Sequence, residues 1–507
     1  MAPSMKTLAV AAMLLGALRT SCQAPSMTSA DLCCTALSTS RISAQVSFPG
    51  SPAYDEFLHS FFAANAQLPP TCIVRPLTTE DVAVAVRTLN PINPAVEPCM
   101  FAIHSGGHSP VPGAASISPG VTIDLSLMNR TTYHLTTQTV SIQPGARWGS
   151  VYETLQPHGV IVPGGRTPSV GVGGYLLGGG YSFFAPRVGL ACDSVLSFEV
   201  VLASGEVVTA SQRSHPDLFR ALRGGSSNFG IVTLYTMATL RCGEIWAGYT
   251  LYDASVMDQF ISAAVRFTDN IDNDPYAAWV GLLAYRSATD QTVITSAFPY
   301  TRPVAWPDAY RDFYQIPNLT DTLQMTTVLA VTKSEVVSAA GNRYTTQTGT
   351  YLNREAVLHQ LSEILAAQIR EARQRAQGSD FEITFLVQPW VPAIWRDTKS
   401  RGGNVLGLDR FNETMLNIEF QYNWADGVDD PLFTTLATSA RAELNEYARS
   451  IGAYNECVYM NYAGGGQNPL AGYGRDNVAF MRRVARRYDP HGVFQELVPG
   501  GFKLSKV

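Results

Sequence analysis

The chain is short of charge. Asp, Glu, Lys and Arg make up 15% of 507 residues, with 36 basic against 41 acidic side chains and a formal net charge of -5. No basic surplus is available to neutralise a phosphate backbone or an anionic membrane, so nucleic acid and membrane surfaces are excluded as partners. The apolar run Leu8-Ala-Val-Ala-Ala-Met-Leu-Leu-Gly-Ala-Leu18 is too short to span a bilayer. Metal catalysis lacks its usual supports: there is no Cys-x-x-Cys, no His-Glu-x-x-His, and only 8 histidines. No Gly-Lys pair exists, which removes the Walker loop. The Rossmann fingerprint also fails, because Gly171-Val-Gly173 begins it but Leu176 stands where the third glycine belongs. There is no internal repeat and no low-complexity tract.

Apolar residues and glycine are plentiful, with 46% hydrophobic residues and 41 glycines. That composition suits a large, well-buried globular enzyme of two domains or one composite unit. Lys6 followed by the Leu8–Leu18 run, with Cys22-Gln-Ala24 beyond it, reads as a secretory signal cleaved near Pro25. The acceptor triplets at Asn129, Asn318 and Asn412 agree with secretion and with N-glycans. Of the 8 cysteines, removal of Cys22 leaves an odd number, so an oxidising compartment predicts disulfides and at least one leftover thiol.

Two glycine-rich segments carry most of the functional signal. One reads Phe101-Ala-Ile-His-Ser-Gly-Gly-His-Ser109, the other Pro163-Gly-Gly-Arg-Thr-Pro-Ser-Val-Gly-Val-Gly-Gly-Tyr-Leu-Leu-Gly-Gly-Gly-Tyr181. Each follows a β-branched, apolar run. Glycine lets the backbone approach a ligand closely, and successive amides in such turns form concavities for phosphate. Two such loops suit one long, pyrophosphate-bearing cofactor, and His108 adds a nucleophilic imidazole to the first.

The segment Ser105-Gly-Gly-His-Ser109 followed by Val121-Thr-Ile-Asp-Leu-Ser-Leu-Met-Asn129 resembles the flavin-binding core of the berberine bridge enzyme-like FAD-linked oxidases, in a fungal-type form, within the vanillyl-alcohol oxidase (PCMH-type) superfamily. The second glycine loop, Leu222-Arg-Gly-Gly-Ser-Ser-Asn-Phe-Gly-Ile-Val232, Tyr459-Met-Asn-Tyr462 and Tyr488-Asp-Pro-His-Gly-Val-Phe494 resemble the same family. The resemblance runs from about Pro70 onward and is densest over residues 100 to 235. It implies an α+β fold: a lead-in at 25–69 after the signal at 1–24, a PCMH-type FAD-binding domain at 70–242, and a substrate domain at 243–456. The latter is built on an antiparallel sheet with helices on one side. A segment at 457–507 returns to the FAD-binding domain. It further implies a bridge to Cys72 from Cys33 or Cys34, with Cys34 preferred.

By the same resemblance, FAD is held covalently through His108. Amides of Ser105, Gly106, Gly107, Ser109, Gly173 and Gly174 serve its phosphates, and Gly171, Asn228, Ile231 and Tyr462 supply further contacts. Many relatives add a second link through a cysteine. Here Thr167 occupies that position, and a hydroxyl is no substitute for a thiolate, so a single attachment is expected. Val170 matches the position that governs oxygen access to the flavin, and its modest size implies an oxidase that releases hydrogen peroxide. His104 stands where relatives often have arginine.

Hydride transfer needs a base for the substrate's proton. On Leu416-Asn-Ile-Glu-Phe-Gln-Tyr422, alternation puts Asn417, Glu419 and Gln421 on one face and Ile418, Phe420 and Tyr422 on the other. Glu419 is the first candidate base, and Tyr459 and Tyr462 compete with it. Arg401-Gly-Gly-Asn404 and Gln388-Pro-Trp390 resemble further family elements without an assigned role. The expectation is an FAD oxidase acting on a small organic substrate of natural-product type, with molecular oxygen as acceptor. A carbohydrate oxidase, a flavin monooxygenase and a non-catalytic binding protein are the alternatives.

Overall fold

The computed structural model describes residues 27–90, 98–334, 341–378 and 380–507, so the segment 1–24, expected to be a secretory signal, lies outside the described residues. The first half of the chain builds two sheets. In the smaller, strands Val46–Ser47, Cys72–Val74, Val121–Asp124 and Phe101–His104 lie side by side in that order, and the last three run parallel. Parallel neighbours require a crossover, and helix Thr79–Leu89 supplies one. A reciprocal cap starts this helix. Thr78 Oγ1 accepts from Asp81 N–H while the Asp81 carboxylate accepts from Thr78 N–H, so two orphan donors are satisfied at once. Val82, Val86 and Leu89 bury its inner face.

The second sheet is antiparallel, in the order Thr131–His134, Thr139–Ile142, Ile231–Ala238, Val195–Val201, Val207–Ser211. Helix Ser29–Ser38 is stapled to the first sheet by two bridges. Cys34–Cys72 is the expected one, and Cys33–Cys99 is an addition to it. Cys192, Cys242 and Cys457 remain as thiols.

Strand Ile245–Ala247 pairs with Gln324–Thr326 in a small sheet of its own, and from Tyr249 the chain enters an eight-stranded antiparallel sheet. Its centre is the pair Phe381–Trp390 and Met415–Trp424, matched along their full length. Helices Met257–Asn270, Glu355–Arg375 and Asp430–Ser450 cover one face. Ile418, Phe420 and Tyr422 point to that side, where the Tyr422 hydroxyl meets Gln368 Oε1 of the Glu355–Arg375 helix at 3.2 Å. The opposite face is left to form a cavity wall.

Three details depart from the sequence-based expectation. The run Trp246–Tyr252 reads in the sequence as one strand, but the structure divides it into Ile245–Ala247 and Tyr249–Asp253 at Gly248, where a Cβ would lie 2.5 Å from Thr322 O. Strand Arg343–Leu352, which pairs with Met415–Trp424, and helix Asp430–Ser450 were not anticipated. The first is rich in threonine and hides its β-propensity behind polar side chains. The second carries Leu432, Phe433, Leu436, Ala440 and Leu444 at helical spacing.

The last segment comes back to the first half. Helix Arg475–Tyr488 packs on helix Pro216–Leu222, and the Asn228 amide holds the backbone at residues 502 and 504.

Candidate active site

Strand Phe101–His104 ends in the Ser105–Ser109 loop, at the C-terminal edge of parallel strands, where open sheets leave a crevice for ligands. The second glycine loop packs directly on the first. A Cβ on Gly106 would fall 2.4 Å from Gly171 Cα, and one on Gly171 would fall 2.6 Å from Gly106 Cα. A Cβ on Gly173 would reach Ser105 Oγ at 2.7 Å. Only glycine permits this contact. Ser105 Oγ is itself spent on Pro144 O at 2.6 Å, so its backbone rather than its hydroxyl faces the cavity chemistry.

The loops open onto a cavity of about 430 Å³, within the usual range for small-molecule sites. Its flavin-loop wall contains Ser105, Gly106, Gly107, His108 and Ser109 from one loop and Thr167, Val170, Gly171, Gly173 and Gly174 from the other. Ile231, Glu419, Tyr459 and Tyr462 share the cavity. Of the residues expected at the site, Asn228 alone lies off the wall. It is fully buried, with its amide and carbonyl committed to Gly225, Phe502, Leu504 and Gln495. Neighbouring Ser226, Ser227 and Gly230 line the cavity in its place.

These residues fit a flavin nucleotide. Gly174 lines the cavity and has nothing within 4 Å of where its Cβ would be, so a ligand can approach its backbone directly. His108 is half-buried on the cavity wall. Phe62 stacks on its ring at 4.2 Å and 13°, and Ser169 Oγ lies 3.4 Å from Nε2. Burial and the Arg147 charge lower its pKa to about 4. The imidazole is therefore neutral, and nucleophilic, across the physiological range.

Behind this loop sits His104, wholly buried, with Nδ1 at 2.9 Å from Asp124 Oδ1 and Nε2 at 3.3 Å from Ser60 Oγ. A Cβ on Gly107 would be 2.6 Å from His104 Nε2, so the ring backs the turn that presents His108.

The facing wall is the open side of the large sheet. Leu282, Thr384, Leu386, Glu419, Gln421 and Thr346 come from four adjacent strands. Glu419 is 5% exposed. Its carboxylate accepts from Thr346 Oγ1 at 3.0 Å and from Gln421 Nε2 at 2.8 Å. Burial raises its pKa to about 7, although those two bonds and the Arg166 charge pull the other way.

Tyr459 is differently placed. Its oxygen accepts from Tyr181 N–H at 2.9 Å and Asn461 Nδ2 at 3.1 Å, and burial drives its pKa far above the usual phenol range. Tyr462 Oη accepts from the Arg166 guanidinium and donates to Gln388 Oε1 at 3.4 Å. Gln388-Pro-Trp390 thus supports the tyrosines, and Trp390 packs 5.1 Å from Tyr459. Arg401-Gly-Gly-Asn404 lies elsewhere. Its carbonyls at Arg401 and Gly403 hold buried Arg223, which joins the flavin-side motif to the substrate half.

Sequence reasoning missed Arg166 and Arg147, both of which deliver charge to this cavity. Each is an ordinary arginine in a loop or turn, and only distant partners, Tyr462 and Ser60 among them, give it a place.

The geometry agrees with what the chain is similar to. Residues 70–211 match the FAD binding domain family model. The FAD-dependent monooxygenase sdcF of Emericella nidulans is 55% identical over 481 residues, covering 94% of this chain and 99% of that one. The chain belongs to the same family of FAD-dependent oxidoreductases as this relative. Among solved structures, BBE-like 1 of Physcomitrella patens superposes with a TM-score of 0.73 at 19% identity, over 91% of this chain and 96% of that one. The xylooligosaccharide oxidase of Myceliophthora thermophila C1, solved with xylobiose, gives 0.71 at 22% identity, over 92% and 98%. At such identities the likeness establishes the fold, which is the α+β, PCMH-type architecture expected from the sequence.

Proposed function

We propose that this FAD-dependent oxidoreductase carries its flavin on His108 alone and oxidises a small organic substrate of secondary-metabolite type, with molecular oxygen as final acceptor. The observation that carries the reading is Glu419: a buried carboxyl, poised to change protonation near neutrality, in the same cavity as the His108 loop. Bound FAD would supply the two-electron acceptor for hydride and the site of its return to oxygen. Glu419 takes the substrate's proton as hydride leaves, and Thr346 and Gln421 hold the carboxylate in one orientation. Tyr459 is a poor base here, because its phenol is held protonated and its oxygen is already occupied by two donors.

Thr167 in place of a thiol supports a single covalent link, and the half-buried Val170 in the cavity supports oxygen access. The attachment has a direct test. Flavin colour that stays with acid-precipitated protein, and is lost to the supernatant in His108→Ala, supports the attachment. Release from the wild-type protein refutes it.

The name of the 55%-identical relative favours a second reading, a monooxygenase. The two differ in stoichiometry. An oxidase forms one hydrogen peroxide per oxygen consumed, whereas a monooxygenase places an oxygen atom in its product and yields little peroxide. For localisation, the N-terminal signal pattern, the two disulfides and the exposure of Asn129, Asn318 and Asn412 support a secretory-pathway protein with N-glycans.

A further inference from the structure

We propose that the ammonium of Lys503 is the counter-charge for the diphosphate of FAD, delivered to the cavity through the Ser227 hydroxyl. This goes beyond the reading of Glu419 and rests only on FAD occupying the cavity between the two glycine loops.

Lys503 is 2% exposed, a setting lysines almost never occupy unless paired. One residue holds the backbone on either side of it. Asn228 Nδ2 donates to Phe502 O at 2.9 Å, and Asn228 Oδ1 accepts from Leu504 N–H at 3.2 Å. The side chain between these anchors reaches Ser227, where Nζ lies 3.5 Å from Oγ. Among the described residues the ammonium makes no other hydrogen bond and no ion pair. Asp489 is the acid whose charge acts on it, yet that carboxylate is spent on the N–H groups of Val493 and Phe494 at 2.8 Å each. Burial and the Lys506 charge lower the Lys503 pKa to about 7. A buried cation so placed is costly until an anion joins it.

The cavity offers room for that anion. Ser226, Ser227, Gly501 and Phe502 all line it, so Lys503 stands one hydroxyl behind the wall. An ammonium only donates, hence Ser227 Oγ accepts from Lys503 and its own O–H is left to point onward. No acceptor for that O–H is present among the described residues. A hydroxyl that accepts from a cation becomes a stronger donor, and an ionised oxygen is its best acceptor. Glycine-loop amides offer phosphate only partial charges. Lys503 adds a whole one, from the end of the chain.

The test removes the charge and keeps the bulk. Lys503→Met is placed in a His108→Ala protein, where flavin has no covalent bond to that residue, and flavin is then depleted. Quenching of flavin fluorescence gives the dissociation constants of FAD and of riboflavin, which has the same ring system without phosphate. Lys503→Met should weaken FAD by about tenfold or more and riboflavin by less than about twofold, as loss of a charge-assisted contact requires. Ser227→Ala should weaken FAD in the same direction by a smaller factor. The flavin-free Lys503→Met protein should also melt at a higher temperature than its parent, because a buried unpaired charge is gone. A lower melting temperature would mark a merely structural lysine and overturn the proposal. Should the double variant fail to fold, Lys503→Met alone decides by its flavin-to-protein absorbance ratio, expected to fall below that of the wild type. FAD binding unchanged in Lys503→Met overturns the proposal and leaves the flavin site standing. Equal weakening of FAD and riboflavin overturns the charge assignment. A parent protein that binds no FAD overturns both the proposal and the reading of the cavity as the flavin site.

Discussion

Glu419 owes its chemistry to position. The same side chain one residue along would face the helices. On its own face it loses water, keeps two hydrogen-bond donors, and titrates at about 7. The base is the ionised form, so substrate oxidation should climb as pH rises through about 7 and level off above it, seen in kcat/KM against pH. Glu419→Gln should remove that limb and lower kcat by about 10²- to 10⁴-fold, the usual contribution of a placed acid or base. The sign is opposite for stability. A carboxyl whose folded pKa is raised from 4.5 favours the folded state while protonated, and this contribution is lost as pH rises from about 4.5 to about 7. Glu419→Gln should therefore flatten the fall in melting temperature across that window.

Among elements, the contact between the two glycine loops is the least forgiving. Gly106→Ala or Gly171→Ala sets a methyl group against backbone that cannot give way. We expect a loss of about 1–3 kcal/mol in stability and a larger loss of bound flavin, measured by denaturant unfolding and by the ratio of flavin to protein absorbance. The glycines that made this region legible in the sequence are the ones that the packing requires. Alternation likewise identified the Glu419 face. Strand Arg343–Leu352 escaped notice because Thr346, Thr348 and Thr350 are buried yet polar, each fitting a pleated sheet without looking like core. Arg166 escaped for another reason. Its partner Tyr462 is 296 residues away in sequence, and no local pattern encodes a contact of that span.

In the molecule as a whole, the cavity is assembled from both halves and from the returning segment, so cofactor and substrate chemistry depend on every part being docked. The lead-in is tied into this arrangement covalently. Cys33–Cys99 and Cys34–Cys72 span 66 and 38 residues, and loops of that size are worth about 4 kcal/mol each in the chain-entropy view. Replacing Cys33 and Cys99 together by serine should lower the melting temperature measurably and leave Cys34–Cys72 intact by mass mapping.

The two bridges start from adjacent cysteines and end at the start of strand Cys72–Val74 and just before strand Phe101–His104, in the sheet that leads into the His108 loop. Four such cysteines allow three pairings, and only one of them lets helix Ser29–Ser38 clamp that sheet as seen. Oxidative pairing thus becomes a quality gate for the cofactor. A host with a reducing cytosol would yield protein of correct mass but pale colour, while one equipped with a disulfide isomerase would yield it yellow.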